Sequence, residues 1–290
     1  WRHQRSAQHR AMGGGGSDAM QRLTGAENLA VGVSAGTIEV VLLQPMLYCK
    51  NASQQRLPFT VDPRVLYRGL SMSVLNMSVL SGVQFPITGF ASKLVTGGSD
   101  RKLTSAEKIA AGFMGGATSG IICAPMELVM IQQQRHGGGL FHQLSRIVGD
   151  YGVTTLFRGL FTSCGREGLF TAGYLGIGPV FADYLQQTYG LQKKVAEFVG
   201  AAGAGVIAAS LSHPLDTMKT CMQGDIEQKT FKSMPETASA LLAEGGAGRF
   251  FRGWSWRTSR MILAIFIMGQ CKNLLPPIFF PSKFSEKADK

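Results

Sequence analysis

A proline-centred segment that occurs three times limits the possible folds of this chain more than any other sequence feature. The copies are centred on Pro45, Pro125 and Pro214, which are 80 and 89 residues apart. Nine residues after each proline stands a glutamine: Gln54, Gln134 and Gln223. A recurrence of this length predicts a protein built from three similar structural units.

A second landmark repeats in the same order. An aromatic-Arg-Gly triplet follows each proline, and its glycine lies 24, 34 and 39 residues further on. The triplets are Tyr67-Arg68-Gly69, Phe157-Arg158-Gly159 and Phe251-Arg252-Gly253. Two landmarks in phase over three copies are not expected by chance, so the sequence predicts a threefold internal repeat.

The distribution of charge predicts membrane spans. A mean hydropathy of +0.09 and 45% apolar residues would also suit two soluble domains. Charged residues, however, collect between runs of about 20 apolar or small residues, which are long enough to cross a hydrocarbon core. We place spans at 26–54, 70–95, 160–187 and 254–275, with two more around Pro125 and Pro214. Small residues four apart precede each proline and should let helices pack closely: Gly32 and Gly36, Gly112 and Gly116, Ala201 and Gly205.

The segments outside the spans are polar, amphipathic or basic. In the connector 136–156, Leu140, Leu144 and Ile147 are near helical spacing, which predicts a short helix at the membrane surface. Residues 1–24 are glycine-rich and basic, and predict a flexible extension or the remnant of a targeting segment. The five cysteines form no Cys-x-x-Cys pair, so we expect buried free thiols.

These motifs resemble those of the mitochondrial carrier family, Pro-x-[Asp/Glu]-x-x-[Lys/Arg] followed by aromatic-[Lys/Arg]-Gly. The resemblance covers roughly residues 25–278. It implies an all-α membrane protein with six transmembrane helices in three pseudo-symmetric repeats, and short matrix-side surface helices. The repeats would be 25–103, 104–192 and 193–278, between the extension 1–24 and a tail at 279–290. It also implies a multi-pass protein of the mitochondrial inner membrane, with both termini on the intermembrane-space side.

The resemblance implies a gate on the matrix side, formed by ion pairs between odd-numbered helices. Carried onto this chain, Glu127 would pair with Lys219, and Asp216 with Lys50. The third pair, Leu47 with Met130, has lost both charges, which is coherent because a single loss would strand a charge in a dry closure. Gln54, Gln134 and Gln223 fall where the family braces these pairs with hydrogen bonds. The alternative is that these residues are ordinary polar groups at helix ends near water.

A substrate site is predicted deeper in the even-numbered spans. Seven residues beyond the triplet glycines stand Asn76, Arg166 and Arg260, with Glu167 beside Arg166. Charged residues at this depth usually face a watery cavity or a partner. These are the family's substrate-contact levels, and the Arg-Glu pair resembles carriers of amino acids and related zwitterions. The alternative is an internal charge cluster that fills the cavity. We expect Arg257, one turn nearer the helix start, to lie at the interface.

The triplets themselves are predicted lipid sites. Free amides and the positive end of the helix dipole favour a phosphate there, and the family binds cardiolipin at these places. The residues concerned are Arg68, Gly69, Arg158, Gly159, Arg252 and Gly253. An ordinary interfacial aromatic belt is the alternative. The net charge of +11 also favours anionic lipid, whereas nucleic acid is not expected because the basic residues form no long cluster.

Two functions remain open. The first is a solute carrier of the mitochondrial inner membrane, for an amino acid or related carboxylate-bearing cation, working by alternating access. The alternative is a transport-inactive homologue that serves as a structural subunit of a larger inner-membrane complex, with protein partners. It is suggested by the absence of the family's second motif, [Phe/Tyr]-[Asp/Glu]-x-x-[Lys/Arg], at the ends of the even spans. We expect no enzyme, cofactor or metal site, since His136 and His142 lie in a connector without a ligating partner.

Overall fold

The computed structural model describes residues 23–98, 101 and 103–284. Within these ranges it consists of helices and loops without strands, which confirms the predicted all-α class. The helices are α1 (Gly25–Gln54), α2 (Pro63–Leu66), α3 (Leu70–Val95), α4 (Ser105–His136), α5 (Leu140–Tyr151), α6 (Leu160–Tyr189), α7 (Lys193–Gly224), α8 (Met234–Gly245) and α9 (Trp254–Phe279), with 3-10 turns at Val153–Phe157, Ala247–Phe251 and Pro281–Lys283. The predicted basic extension, apart from residues 23 and 24, lies outside the described residues, as do 285–290 of the predicted tail.

Six long helices form a closed ring. In chain order α1, α3, α4, α6, α7 and α9 each pack against the next, and α9 returns to pack against α1. Among the described residues, all of these except α6 contain a stretch that is long and apolar enough to cross a membrane. The predicted bounds match α3, and they differ from those of α1, α6 and α9 by one to four residues.

Local signals explain where several helices begin. Thr24 and Thr104 form capping boxes with Glu27 and Glu107, so that each side chain satisfies a backbone amide of the first turn. Ser233 does the same at the start of α8. The three repeat prolines lie inside α1, α4 and α7 without ending them. Long helices in membranes tolerate such prolines because neighbouring segments satisfy the freed carbonyls.

Glycine permits a close helix contact between α4 and α6. A Cβ atom added at Gly116 would lie 2.4 Å from the carbonyl oxygen of Glu167, so only glycine fits at the observed separation. The other small residues predicted to allow close packing do not all lie in close helix contacts. A Cβ atom added at Gly36 would lie 3.1 Å from Cγ of Met77, whereas one added at Gly32 would meet nothing within 4 Å.

This contrast gives a matched pair of variants. Gly116→Ala should lower the free energy of unfolding by about 1–3 kcal/mol, because α4 and α6 must move apart. Gly32→Ala should be neutral or slightly stabilising, since alanine is favoured over glycine inside a helix by about 0.5–1 kcal/mol. Thermal unfolding in mild detergent measures both variants. Equal changes in melting temperature for the two variants would show that the packing of α4 against α6 does not require glycine at position 116.

Apolar side chains pack together near the C-terminal ends of α1, α4 and α7. An apolar cluster there joins Leu128 and Ile131 of α4 to Ile147 of α5 and to Ile226, which follows α7. The surface helix α5, which the sequence predicts, is therefore docked through a fully buried isoleucine. Of the two residues that replace the third ion pair, Met130 is a buried member of this cluster and Leu47 packs against the cluster. Apolar packing thus stands where the family pattern has an ion pair.

Candidate functional site

Seven charged side chains meet inside the ring, just beyond the repeat prolines. Four are basic and three acidic, and no side chain among them is more than 12% exposed. The long helices α1, α4, α6, α7 and α9 contribute Lys50, Glu127, Arg166 with Glu167, Asp216 with Lys219, and Arg257. We call this set the ionic closure.

Asp216 is the acidic centre of the ionic closure. Lys50 Nζ donates to its Oδ2 at 2.7 Å, and Gln54 Nε2 donates to the same oxygen at 2.9 Å. Three further basic atoms lie 3.7 Å from one of its oxygens: Lys219 Nζ, Arg166 Nε and Arg257 Nη1. Because this carboxylate is 2% exposed and surrounded in this way, its loss would leave several buried cations uncompensated.

Glu127 is the second acidic centre and joins α4 to both α6 and α7. Its Oε1 lies 3.1 Å from Lys219 Nζ and 2.5 Å from Arg166 Nη2. Its Oε2 accepts a hydrogen bond from Ser163 Oγ at 3.3 Å. The structure therefore brings Glu127 and Lys219 together, and adds an arginine that the family pattern of odd-helix pairs does not include.

Arg166 bridges the two acidic centres. Besides Glu127, its Nη2 lies 2.5 Å from Glu167 Oε1, so one guanidinium nitrogen serves two carboxylates. The side chain, placed by sequence at the substrate level, reaches into the ionic closure instead of standing free. Arginine can do this because its long, planar head presents donors in several directions.

The three predicted brace glutamines behave differently. Gln54 contacts the Lys50–Asp216 pair and also donates to Thr217 Oγ1 at 3.1 Å. Gln134 Oε1 accepts from Asn51 Nδ2 at 2.6 Å, between the first and second copies, where the Leu47–Met130 pair lacks both charges. Gln223 Nε2 donates to the carbonyl oxygens of Ala124 and Arg158, each at 3.3 Å. Gln134 and Gln223 therefore link helices through neutral hydrogen bonds rather than across an ion pair.

Arg257 is not at the interface, as the sequence led us to expect, but inside the ring. Its Nη2 donates to Ser212 Oγ at 2.8 Å, and its Nη1 lies 3.5 Å from His213 Nδ1. The reason is helical geometry, because residues three apart share a face and Arg260 occupies the same side of α9. Depth along a helix alone does not reveal this direction.

Arg260 and Asn76, the other predicted substrate residues, lie outside the ionic closure. Arg260 Nη2 is 2.8 Å from Glu39 Oε1 of α1, and its Nε donates no hydrogen bond to any described residue. Asn76 is partly buried, and within the described chain its Oδ1 has no donor. Among the described residues, no hydrogen bond or ion pair therefore joins Asn76 or Arg260 to Arg166 or Glu167.

Sequence reasoning missed Glu39, whose partner Arg260 was predicted. A signal was present, since Glu39 is the only acidic residue between Glu27 and Asp62, in an otherwise apolar run. An ionisable residue inside a membrane helix is a candidate functional residue by default. His213 was also missed as a contact of Arg257, although it directly precedes a repeat proline.

The triplet glycines begin the even-numbered long helices in a conformation that requires glycine. Gly69, Gly159 and Gly253 have φ of +81°, +75° and +83°, and no side chain caps the helices that follow them. The Arg158 side chain is directed at protein carbonyls, because its Nε donates to Met222 O at 2.7 Å and its Nη2 donates to Phe231 O. In the second triplet, a lipid phosphate would therefore contact backbone amides at the helix start, because the Arg158 side chain already donates hydrogen bonds to protein carbonyls.

Known proteins resemble this chain in sequence. A family profile described as "Mitochondrial carrier protein" matches residues 101–189 and 192–277. The chain is 26% identical over 269 residues to mitochondrial tricarboxylate transporter 1 of Mycosarcoma maydis, covering 82% of this chain and 89% of that protein. It is 28% identical over 209 residues to the mitochondrial carnitine carrier of Saccharomyces cerevisiae, covering 67% and 63%. It is 26% identical over 203 residues to a mitochondrial dicarboxylate/tricarboxylate transporter of Arabidopsis thaliana, covering 65% and 68%.

Proposed function

Because the chain belongs to the mitochondrial carrier family, whose members are transporters and not enzymes, we propose that it carries an amino acid or related carboxylate-bearing cation. The cargo would cross the mitochondrial inner membrane by alternating access. Both termini of the protein would lie on the intermembrane-space side. The observation that supports this cargo is the set of guanidinium groups beside carboxylates inside the ring, Arg166 with Glu167 and Arg260 with Glu39.

The arginines suit the carboxylate of such a cargo. A guanidinium binds a carboxylate through two parallel hydrogen bonds, and these are strong because both partners are charged. The substrates named for the relatives are consistent with this part, since tricarboxylates, dicarboxylates and carnitine all bear a carboxylate. Carnitine also bears a fixed positive charge, and this supports the cationic part of the proposal.

Arg166 offers a link between cargo and closure. A cargo carboxylate that draws Arg166 away from Glu127 would remove one of the contacts joining α4 to α6. A ligand shifts an equilibrium only as far as its affinities for the two states differ, and this exchange of partners provides such a difference. The ionic closure would then open more readily when cargo is bound than when it is absent.

The cargo proposal is tested with purified protein. Thermal unfolding in mild detergent is followed with free lysine, ornithine, neutral amino acids, carnitine, 2-oxoglutarate and citrate, and solutes that stabilise the protein are then offered to liposomes. Ligands that bind the folded state raise its melting temperature by mass action. We expect stabilisation and uptake with solutes that carry both a carboxylate and a cation. Uptake of 2-oxoglutarate or citrate alone would retain the carrier and reject the cargo.

A second candidate, a transport-inactive structural subunit, is favoured by one observation. The motif that closes the opposite mouth in the family is missing at the ends of α3, α6 and α9. A free carrier should run alone on a sizing column in mild detergent, whereas a subunit should co-purify with fixed partners. Fixed partners, together with no stabilising solute and no uptake, would decide for the subunit.

Lipid binding at the triplets is a further part of the proposal. Uncapped amides at the starts of α3, α6 and α9 would hold the phosphates of cardiolipin. Adding cardiolipin to delipidated protein should raise its melting temperature, because a lipid that binds the folded state stabilises it. Phosphatidylglycerol and phosphatidylcholine serve as anionic and neutral comparators. Equal protection by phosphatidylcholine would argue against a phosphate site of this kind.

A further inference from the structure

Glu39 and Arg260 form an ion pair that stands apart from the ionic closure. They join α1 to α9, and their contact is a single hydrogen bond of 2.8 Å from Arg260 Nη2 to Glu39 Oε1. Glu39 is 3% exposed, whereas the side chain of Arg260 is 28% exposed. One partner is therefore enclosed by protein, and the other is open to an approaching solute.

The hydrogen bonding of Arg260 is incomplete in comparison with that of Arg166. Arg166 has two carboxylates at 2.5 Å and a third at 3.7 Å, but Arg260 has only Glu39 among the described residues. The Nε atoms of both arginines are buried and donate to nothing in the described part of the chain, so the difference between the two lies in the number of carboxylates near them. A guanidinium with unused donors retains capacity for a second carboxylate.

The pair faces the interior of the ring. Arg257, three residues before Arg260, contacts Asp216 and Ser212 inside the bundle, and residues three apart share a helix face. Glu39 is the only acid in its stretch of α1, and an enclosed ion pair is not by itself an efficient source of stability. The pair is thus positioned to exchange partners with a solute.

We propose that Glu39 is a specificity-determining residue that selects cargo bearing a positive charge. When a cargo carboxylate engages Arg260, the enclosed carboxylate of Glu39 must share its one cationic partner among the described residues. A cation on the same cargo compensates the second carboxylate, whereas a cargo with carboxylates alone leaves one negative charge uncompensated beside Glu39. Unpaired enclosed charge of this kind disfavours the wrong ligand, and selectivity follows from the difference. This inference rests on the proposed carrier function.

The test compares two chemistries of cargo in liposomes. Initial uptake of free lysine and carnitine, which carry a cation and a carboxylate, is measured beside uptake of 2-oxoglutarate, which carries carboxylates only. Glu39→Gln should lower the uptake of lysine and carnitine relative to 2-oxoglutarate by at least about tenfold, because losing one partner of a desolvated charge pair has effects of this size or larger. Glu39→Asp should keep the preference for cations. Asp183→Asn, at an exposed acid of α6, should change nothing.

A double variant serves as the control for loss of folding. Glu39→Gln combined with Arg260→Gln removes both charges, so it should recover melting temperature lost by the single change while remaining unable to take up lysine or carnitine. If Glu39→Gln lowers uptake of all three solutes by the same factor, or leaves the ratio unchanged, Glu39 does not select cargo. Wild-type uptake of 2-oxoglutarate without lysine or carnitine overturns the inference but keeps the carrier. No uptake of any panel solute removes the carrier function, and with it this inference.

Discussion

Asp216→Asn should reduce the stability of the folded protein more than any other single change in the ionic closure. Removing one partner of a buried ion pair typically lowers the free energy of unfolding by about 3–5 kcal/mol, because the other charge remains enclosed. Here the carboxylate contacts Lys50 directly and has three more basic atoms at 3.7 Å. For a chain of this size we expect the melting temperature to fall by roughly 10 °C.

Two further variants decide whether charge is the cause. Asp183→Asn makes the same chemical change at an exposed site and should leave the melting temperature unaltered. Lys50→Gln combined with Asp216→Asn removes one stranded cation, so the double variant should be more stable than the sum of its single changes. Strictly additive shifts would show that Lys50 and Asp216 are not energetically coupled. Reversing the charges of Glu127 and Lys219 is a less clean test, because a lysine at 127 would meet Arg166.

Arg166→Ala should remove the stabilisation by cargo and strongly lower the uptake of cargo into liposomes. Each hydrogen bond to a charged group contributes about 1.5–3 kcal/mol, so losing one such contact lowers uptake by about 10- to 100-fold. Arg166→Lys keeps the charge but not the forked geometry and should recover stability more fully than transport. Arg166→Ala should also melt below the wild type, since Glu167 loses its basic partner.

The two proposed functions give different results for these variants. In a structural subunit Arg166 only neutralises Glu127 and Glu167, so Arg166→Ala would melt lower with no cargo effect to lose. In a carrier, the lysine variant would separate folding from transport. Wild-type uptake that persists unchanged in Arg166→Ala would remove Arg166 from the cargo site.

Spacing along the sequence was sufficient for the helices but not for side-chain direction. The triplet glycines and repeat prolines recur in phase, so the bounds of α3 and the approximate bounds of the other even helices follow from sequence alone. Counting residues sets the depth of Arg166 and Arg257, yet an arginine extends several ångströms along or across the helix. Its final partner depends on which carboxylates the ring brings near, and these come from α4 and α7.

Glu39 shows the complementary limit. A lone acid in an apolar run could be recognised, but its partner is 221 residues away in sequence and is brought close only because α9 packs on α1. Gln134 illustrates the same point, since its place in the repeat is regular but the local charge pair is missing. Its amide then pairs with Asn51, a residue that no motif singled out.

The apolar cluster that contains Met130 and packs against Leu47 should respond to temperature differently from the ion pairs of the closure. Apolar association weakens as water is cooled, whereas the penalty for dehydrating ions falls as temperature rises. The ion pairs Lys50–Asp216 and Lys219–Glu127 both involve α7, which carries Asp216 and Lys219. Cooling should therefore weaken both kinds of contact, but for different physical reasons and to different extents, so that the rate of opening has an uneven temperature dependence that three matched ion pairs would not produce.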